Sequence, residues 1–291
     1  MNRRTFITHS SALAATAFCG TLSTLLRAAE PRPTRYLTAH AVAGPVLPLP
    51  PGKRASFGWQ IDAITAMPML LQWEGAAPAE TPTELRSTVG LDVRDEKTIT
   101  ATLIGSDRVI GTFDVRFASL FQPYAIPLAP ADAAAVQREG VALRVTRGSP
   151  LHVLVGGADL PAELQPHLLV PGTRDRRTEF FARLGSLASI QPWSWNEGCV
   201  LDGLMDLGTL PGRAALRATA EQHIALFVRG GTLVYENHVS AISDGKVYGI
   251  EGTLPFAALA QTAPRHPLLE LPVKFWLAHR DSEGAIIDGS Q

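Results

Sequence analysis

A change of hydrophobic period is what most limits how this chain can fold. From Arg54 to about Val155, apolar residues recur at every second position in short runs: ASFGWQID, PMLLQW, TVGLDVRD, KTITATLI, VIGTFDVRF, YAIPLA, VALRVTR and LHVLVGG. Gly, Pro, Asp or Ser separates each run from the next. Alternation buries one face of a strand, and many short strands at close spacing predict an antiparallel β-sandwich. After Pro161 the spacing becomes three and four residues, in RTEFFARLGSLA, EGCVLDGLMDLG, GRAALRATAEQHIALFV, LPFAALAQ and PLLELPVKFWLAHRD. That is helical periodicity, and the turn-length connections imply helices packed on helices rather than a βαβ fold. One helix, APADAAAVQREG, is expected inside the first part. The expected class is therefore multidomain β plus α.

These periods divide the chain into a leader at 1–29, a proline-rich linker or edge segment at 30–52, a β-sandwich domain at 53–160 and a helical domain at 174–291. Pro171-Gly172 marks the join. The leader has Arg3 and Arg4, then a long uncharged stretch, then small residues before Glu30. Its Arg3-Arg4-Thr5-Phe6 core reads as a twin-arginine export signal. It predicts a bacterial protein exported already folded, periplasmic or secreted, with the twin-arginine machinery as a partner. An uncleaved leader would make it a membrane anchor, because Leu26 and Arg27 stand where a cleavage site prefers small residues.

With Arg3, Arg4 and Arg27 set aside, 23 basic side chains face 27 acidic ones. A mildly acidic body speaks against a nucleic-acid partner, which requires a basic stripe. Without the leader, Cys199 is the sole cysteine. No intramolecular disulfide can form, and a lone thiol supplies no structural zinc site. Neither a metal nor an organic cofactor is expected. Standard hydrolase, metalloprotease, phosphate-loop and dinucleotide signatures are absent. His279-Arg280-Asp281 lacks the companions of a kinase loop, and His223 reads as a satisfied surface or core histidine on a helix.

Two stretches carry candidate chemistry. In PWSWNEGCVLDGLMDLG, Trp193 and Trp195 precede a helix whose first turn holds Glu197. They serve either as buried anchors of the helix start or as rings that stack on sugar faces. Glu197 suits the helix dipole whatever its function, and Asp202 and Asp206 share an outer face. In GGTLVYENHVSAISDGKVYGIEGTLPFAALA, Tyr235 and His238 fall in a long polar loop and Glu251 stands just before a helix. That loop is either a binding rim or a surface β-hairpin.

The order WSWNEGCVLDGL, YEN, YGIEGTLPFAAL, HPLLE and FWLAHRDSEGAIIDG resembles the first part of the six-hairpin glycosidases. The similarity is greatest to the unsaturated glucuronyl and rhamnogalacturonyl hydrolases. It implies an (α/α)6 barrel, an acidic general acid and base, and hydration of an unsaturated uronic acid. By the same resemblance Glu251 is the catalytic candidate, with Glu where the family has Asp, and the family's principal acid is expected on a later helix, beyond Gln291. Trp193, Trp195, Glu197, Tyr235 and His238 become the substrate-binding candidates. A whole barrel takes roughly 300 residues, and only 174–291 are left for it, so a partial, C-terminally truncated barrel is expected. The implied ligand is an oligosaccharide or polysaccharide rich in uronic acid. Open helix faces in FFARLGSLA and PVKFWLAH would call for an oligomer. The rival expectation is a non-catalytic carbohydrate-binding or cell-surface interaction protein.

Overall fold

The computed structural model describes residues 30–45, 47–73, 81–235 and 243–287. Eleven strands precede the helical part: β1 Arg35–Thr38, β2 Ala41–Ala43, β3 Gln60–Ile64, β4 Met69–Gln72, β5 Glu84–Thr88, β6 Glu96–Leu103, β7 Val109–Arg116, β8 Pro123–Pro127, β9 Val141–Arg147, β10 Leu151–Gly156 and β11 His167–Val170. Helix α1, Pro130–Glu139, lies between β8 and β9, opened by its proline and ended at Gly140. Every strand pairing is antiparallel. One sheet runs β2-β4-β9-β6-β7, a second β1-β11-β5-β8, and β10 pairs with β3 alone.

Strand β6 shows how alternation becomes a core. Lys97, Ile99, Ala101 and Leu103 point inward while Glu96, Thr98, Thr100 and Thr102 stay at least partly exposed. Met69, Leu71, Phe113 and Leu143 from the five-stranded sheet meet Leu85, Ile126 and Leu168 from the four-stranded one in a single apolar cluster. Lys97 is tolerated there because its ammonium reaches Asp95 at 2.7 Å and the Ser149 hydroxyl. Burial alone would raise the Asp95 carboxyl, but hydrogen bonds from Lys97 and Ser149 outweigh it and hold it below its ordinary range.

Residues 30–52 take the edge-segment alternative. β1 and β2 take the edges of the two larger sheets, where prolines on either side do not interrupt a central ladder. The run TVGLDVRD is largely not a strand. β5 ends at Thr88, and Val89 adds only an isolated bridge to Val153. Gly90 then hugs the β10 backbone, donating its N–H to His152 O at 2.9 Å, and Leu91 and Val93 turn inward from irregular chain.

After Val170 the chain is helical: α2 Arg176–Leu184, α3 Trp195–Gly208, α4 Ala215–Phe227, α5 Phe256–Thr262 and α6 Glu270–Ala278. Asp175 caps α2 and Ser194 caps α3. Between α4 and α5 a two-rung hairpin, β12 Val228–Arg229 with β13 Thr232–Leu233, turns through Gly230-Gly231. Both of those glycines have positive φ, as a tight hairpin turn requires. A second apolar cluster joins the two kinds of structure. Trp59, Phe121, Leu154, Leu160 and Leu164 from the sheet part pack with Ile190, Trp193, Leu201, Leu204, Ile224 and Phe227 from the helical part. The boundary between 160 and 174 therefore separates periodicities but not hydrophobic cores.

Candidate functional site

The start of α3 divides the sequence candidates by burial. Trp193 is only 3 % exposed. Its ring meets Phe227 and Phe256 at 5.1 and 5.3 Å, and its Nε1–H donates to Gly252 O at 3.1 Å. No ring face is left for a sugar, so Trp193 is corrected from stacking platform to core anchor. Trp195, two residues on, is 48 % exposed. Cys199, Asp202 and Asp206 follow it on the same outer face at helical spacing, all exposed. Partial burial and the neighbouring Asp206 push the Asp202 carboxyl up.

Glu197 is likewise corrected from cleft residue to core residue, because it is wholly buried. One carboxylate oxygen accepts from Gln191 N at 2.7 Å and the other lies 2.9 Å from His223 Nδ1. Burial pushes the Glu197 carboxyl up, and His223 and the Gln191 N–H offset part of that. On its far side His223 Nε2 stands 3.5 Å from Ser189 Oγ. The row Ser189, His223, Glu197 has the order of a nucleophile, base and orienting acid. Its chemistry is otherwise committed. The Ser189 hydroxyl proton is aimed at the carbonyls of Ser186 and Leu184, at 2.8 and 2.9 Å, and His223 has no exposed surface. The row ties α3, α4 and the turn between α2 and α3 together across the core. Sequence reading took His223 as a satisfied histidine but had no signal for its partner, which lies 26 residues away.

Tyr235 is 5 % exposed, and its hydroxyl accepts from Tyr248 N at 3.2 Å. It closes the base of the polar loop, so its role as a sugar contact is also corrected. Burial raises its phenol. His238 lies outside the described residues. Glu251 is exposed, in a single 3-10 turn, Ile250–Thr253, against the start of α3. That turn brings Leu254 against Gly198, so Trp195, Glu251 and Leu254 are the exposed candidates of one region.

Beside Trp193 and Tyr235 a narrow recess is framed by Phe57 and by Arg54, which grips Asp244 through two hydrogen bonds of 2.5 and 2.7 Å. Arg54 holds the Asp244 carboxyl below its ordinary range. The enclosed space, about 20 Å³, admits a water molecule and no sugar ring. A larger open groove of about 460 Å³ lies on the sheet part, where Pro45, Leu47, Met67, Val145 and Pro150 make apolar walls and Thr146 and Arg147 supply polar groups. Sequence reading did not single out this groove, since its walls come from three segments distant in the chain, around Pro45, Met67 and Val145. No group of three or more His, Cys, Asp or Glu gathers to hold a metal among the described residues. In comparisons with known proteins, no family model, curated protein or solved structure matches the chain.

Proposed function

We propose that the protein is an exported, non-catalytic carbohydrate-binding protein of glycoside-hydrolase-like ancestry. Its ligand class is uronic-acid-rich oligosaccharide, and its stacking platform is Trp195. The observation that carries this is the split at the start of α3. Trp195 is half exposed, whereas Glu197 is locked to His223 in the core and Glu251 stands exposed in its 3-10 turn. Glycosidic hydrolysis by paired carboxyl groups needs two that flank one bond, and Glu197, sealed in the core, cannot be one of them. Stacking on an exposed tryptophan needs neither.

The same reading takes the two larger sheets as a β-sandwich, supported by the core that both line. It takes the helices after Pro171 as opening hairpins of an (α/α)6 barrel, supported by the motif order and by the packing of α3 on α4. Export by the twin-arginine route belongs to it as well. So does a second copy covering the apolar outer face of α6, where Val273, Trp276 and Leu277 are 48 %, 39 % and 65 % exposed.

The test is calorimetric titration with oligogalacturonides, run beside a turnover assay on unsaturated uronides. Measurable binding weakened about tenfold or more in Trp195→Ala, with no turnover, is expected. Turnover that disappears in Glu251→Gln would restore the hydrolase. Binding unchanged in Trp195→Ala would remove the platform. The sheet-part groove favours a second reading, an interaction site for a small apolar ligand or peptide, because its volume suits one and its walls are mainly apolar.

A further inference from the structure

Helix α2 has no buried residue along its length. Arg176, Arg177 and Phe180 are three and four positions apart and so share a face. Arg174, Arg176 and Arg177 are exposed, and Phe180 is 59 % exposed. Both acids of the segment are already engaged. Asp175 accepts from the Thr178 N–H and hydroxyl at 3.0 and 2.6 Å, and Glu179 accepts from Thr34 N at 3.1 Å. The neighbouring Phe181 is covered by the Arg213 guanidinium, 3.7 Å from its ring centre. The outer face is thus cationic with one exposed aromatic ring, Phe180, whose edge contact is Phe181 at 5.5 Å, a combination that suits the boundary between lipid headgroups and acyl chains.

A second, independent observation concerns what lies beside that face. The chain emerging from the leader is stitched to the start of α2. Thr173 N and Arg174 N donate to Arg32 O at 2.9 and 3.1 Å, and Arg32 N donates to Thr173 Oγ1 at 2.9 Å. Gly172 permits this approach, since a Cβ there would come within 2.4 Å of Arg32 O. Upstream, no Asp, Glu, Lys or Arg occurs from Thr5 to Leu26, a stretch comparable to the roughly 20 residues that span a bilayer. Arg32, the hydrogen-bond partner of the start of α2, follows that stretch by six residues in the sequence.

We propose that the Arg174, Arg176, Arg177 and Phe180 face of α2 docks on an anionic membrane surface, with the arginines at headgroup level and the Phe180 ring in the interface. This does not depend on the glycan reading. The test is vesicle flotation of the full 291-residue chain on neutral phosphatidylcholine and with about 30 % phosphatidylglycerol added; the leader carries Arg3, Arg4 and Arg27 in every variant, so the share of α2 is the part of the phosphatidylglycerol gain that its substitution removes. The expected gain in partitioning is about tenfold or more, reversed by about 0.5 M salt. Most of it should be lost in Arg174→Glu/Arg176→Glu/Arg177→Glu, with binding to neutral vesicles and thermal unfolding unchanged. Arg176→Gln/Arg177→Gln, a milder change, should lose part of the gain. Absence of any phosphatidylglycerol gain, or the same gain in both variants, would overturn the proposal. So would soluble polygalacturonate displacing the protein from vesicles through the same arginines, because the face would then be a site for acidic glycan.

Discussion

At the level of single residues, burial decides what each polar side chain can do. Glu197 and Trp193 are two of the residues that most suggest a cleft when read in order, and both are inside, satisfied by His223, Gln191 and Gly252. Residue type and spacing were legible in the sequence. Which side of α3 faces the core was not, because the strip PWSWNEGC is rich in polar and aromatic residues on every side. His167 gives a measurable case of the same effect. Its ring is 1 % exposed, Nδ1 lies 2.7 Å from Gln165 O, and burial pushes its pKa down to about 4. The unfolded chain takes up a proton near pH 6.5 that the folded one refuses until about pH 4. Stability from this group is therefore complete above pH 6.5 and lost as pH falls towards 4, by up to about 3 kcal/mol. Urea unfolding at pH 7 and pH 4.5 should show a large drop in wild type and a smaller one in His167→Leu. Equal drops would mean that other groups carry the acid sensitivity.

For whole elements, most helices and strands follow the periodicity because they bury one regular stripe; α2, with no buried residue, is an exception. The other exceptions have local causes. TVGLDVRD gives way at Gly90, where the chain must pass close to the β10 backbone. β1 and β2 form in a proline-rich stretch because edge positions tolerate prolines beside them. Helix α3 shows how close approach constrains an element. A Cβ on Gly198 would lie 2.7 Å from Leu254 Cβ, whereas one on Gly203 would meet nothing within 4 Å. Gly198→Ala should therefore destabilise by about 1–3 kcal/mol through overpacking. Gly203→Ala should stabilise by up to about 1 kcal/mol through helix propensity. Thermal unfolding of the two variants should shift in opposite directions, and a shared sign would refute the assigned contact.

At the scale of the molecule, the aromatic seam of Phe57, Trp59, Phe121, Trp193 and Phe227 joins sheet and helix in one apolar cluster. Near-UV and far-UV circular dichroism should accordingly report one coincident transition, and an isolated 174–291 fragment should lack fixed aromatic signals. Two separated transitions would show that the halves fold alone. What the sequence by itself determined is that a strand-rich part precedes a helical part, the antiparallel character of the sheets and the positions of the helices. All of these follow from local alternation, which needs no partner to be visible. Only the tertiary structure decided that the two parts share a core, that Trp193 and Glu197 are inside while Trp195 is outside, and that residues 30–34 run beside α2. Each of those depends on residues distant in the chain meeting in space, and a one-dimensional pattern carries the period of an element but not the identity of what covers it.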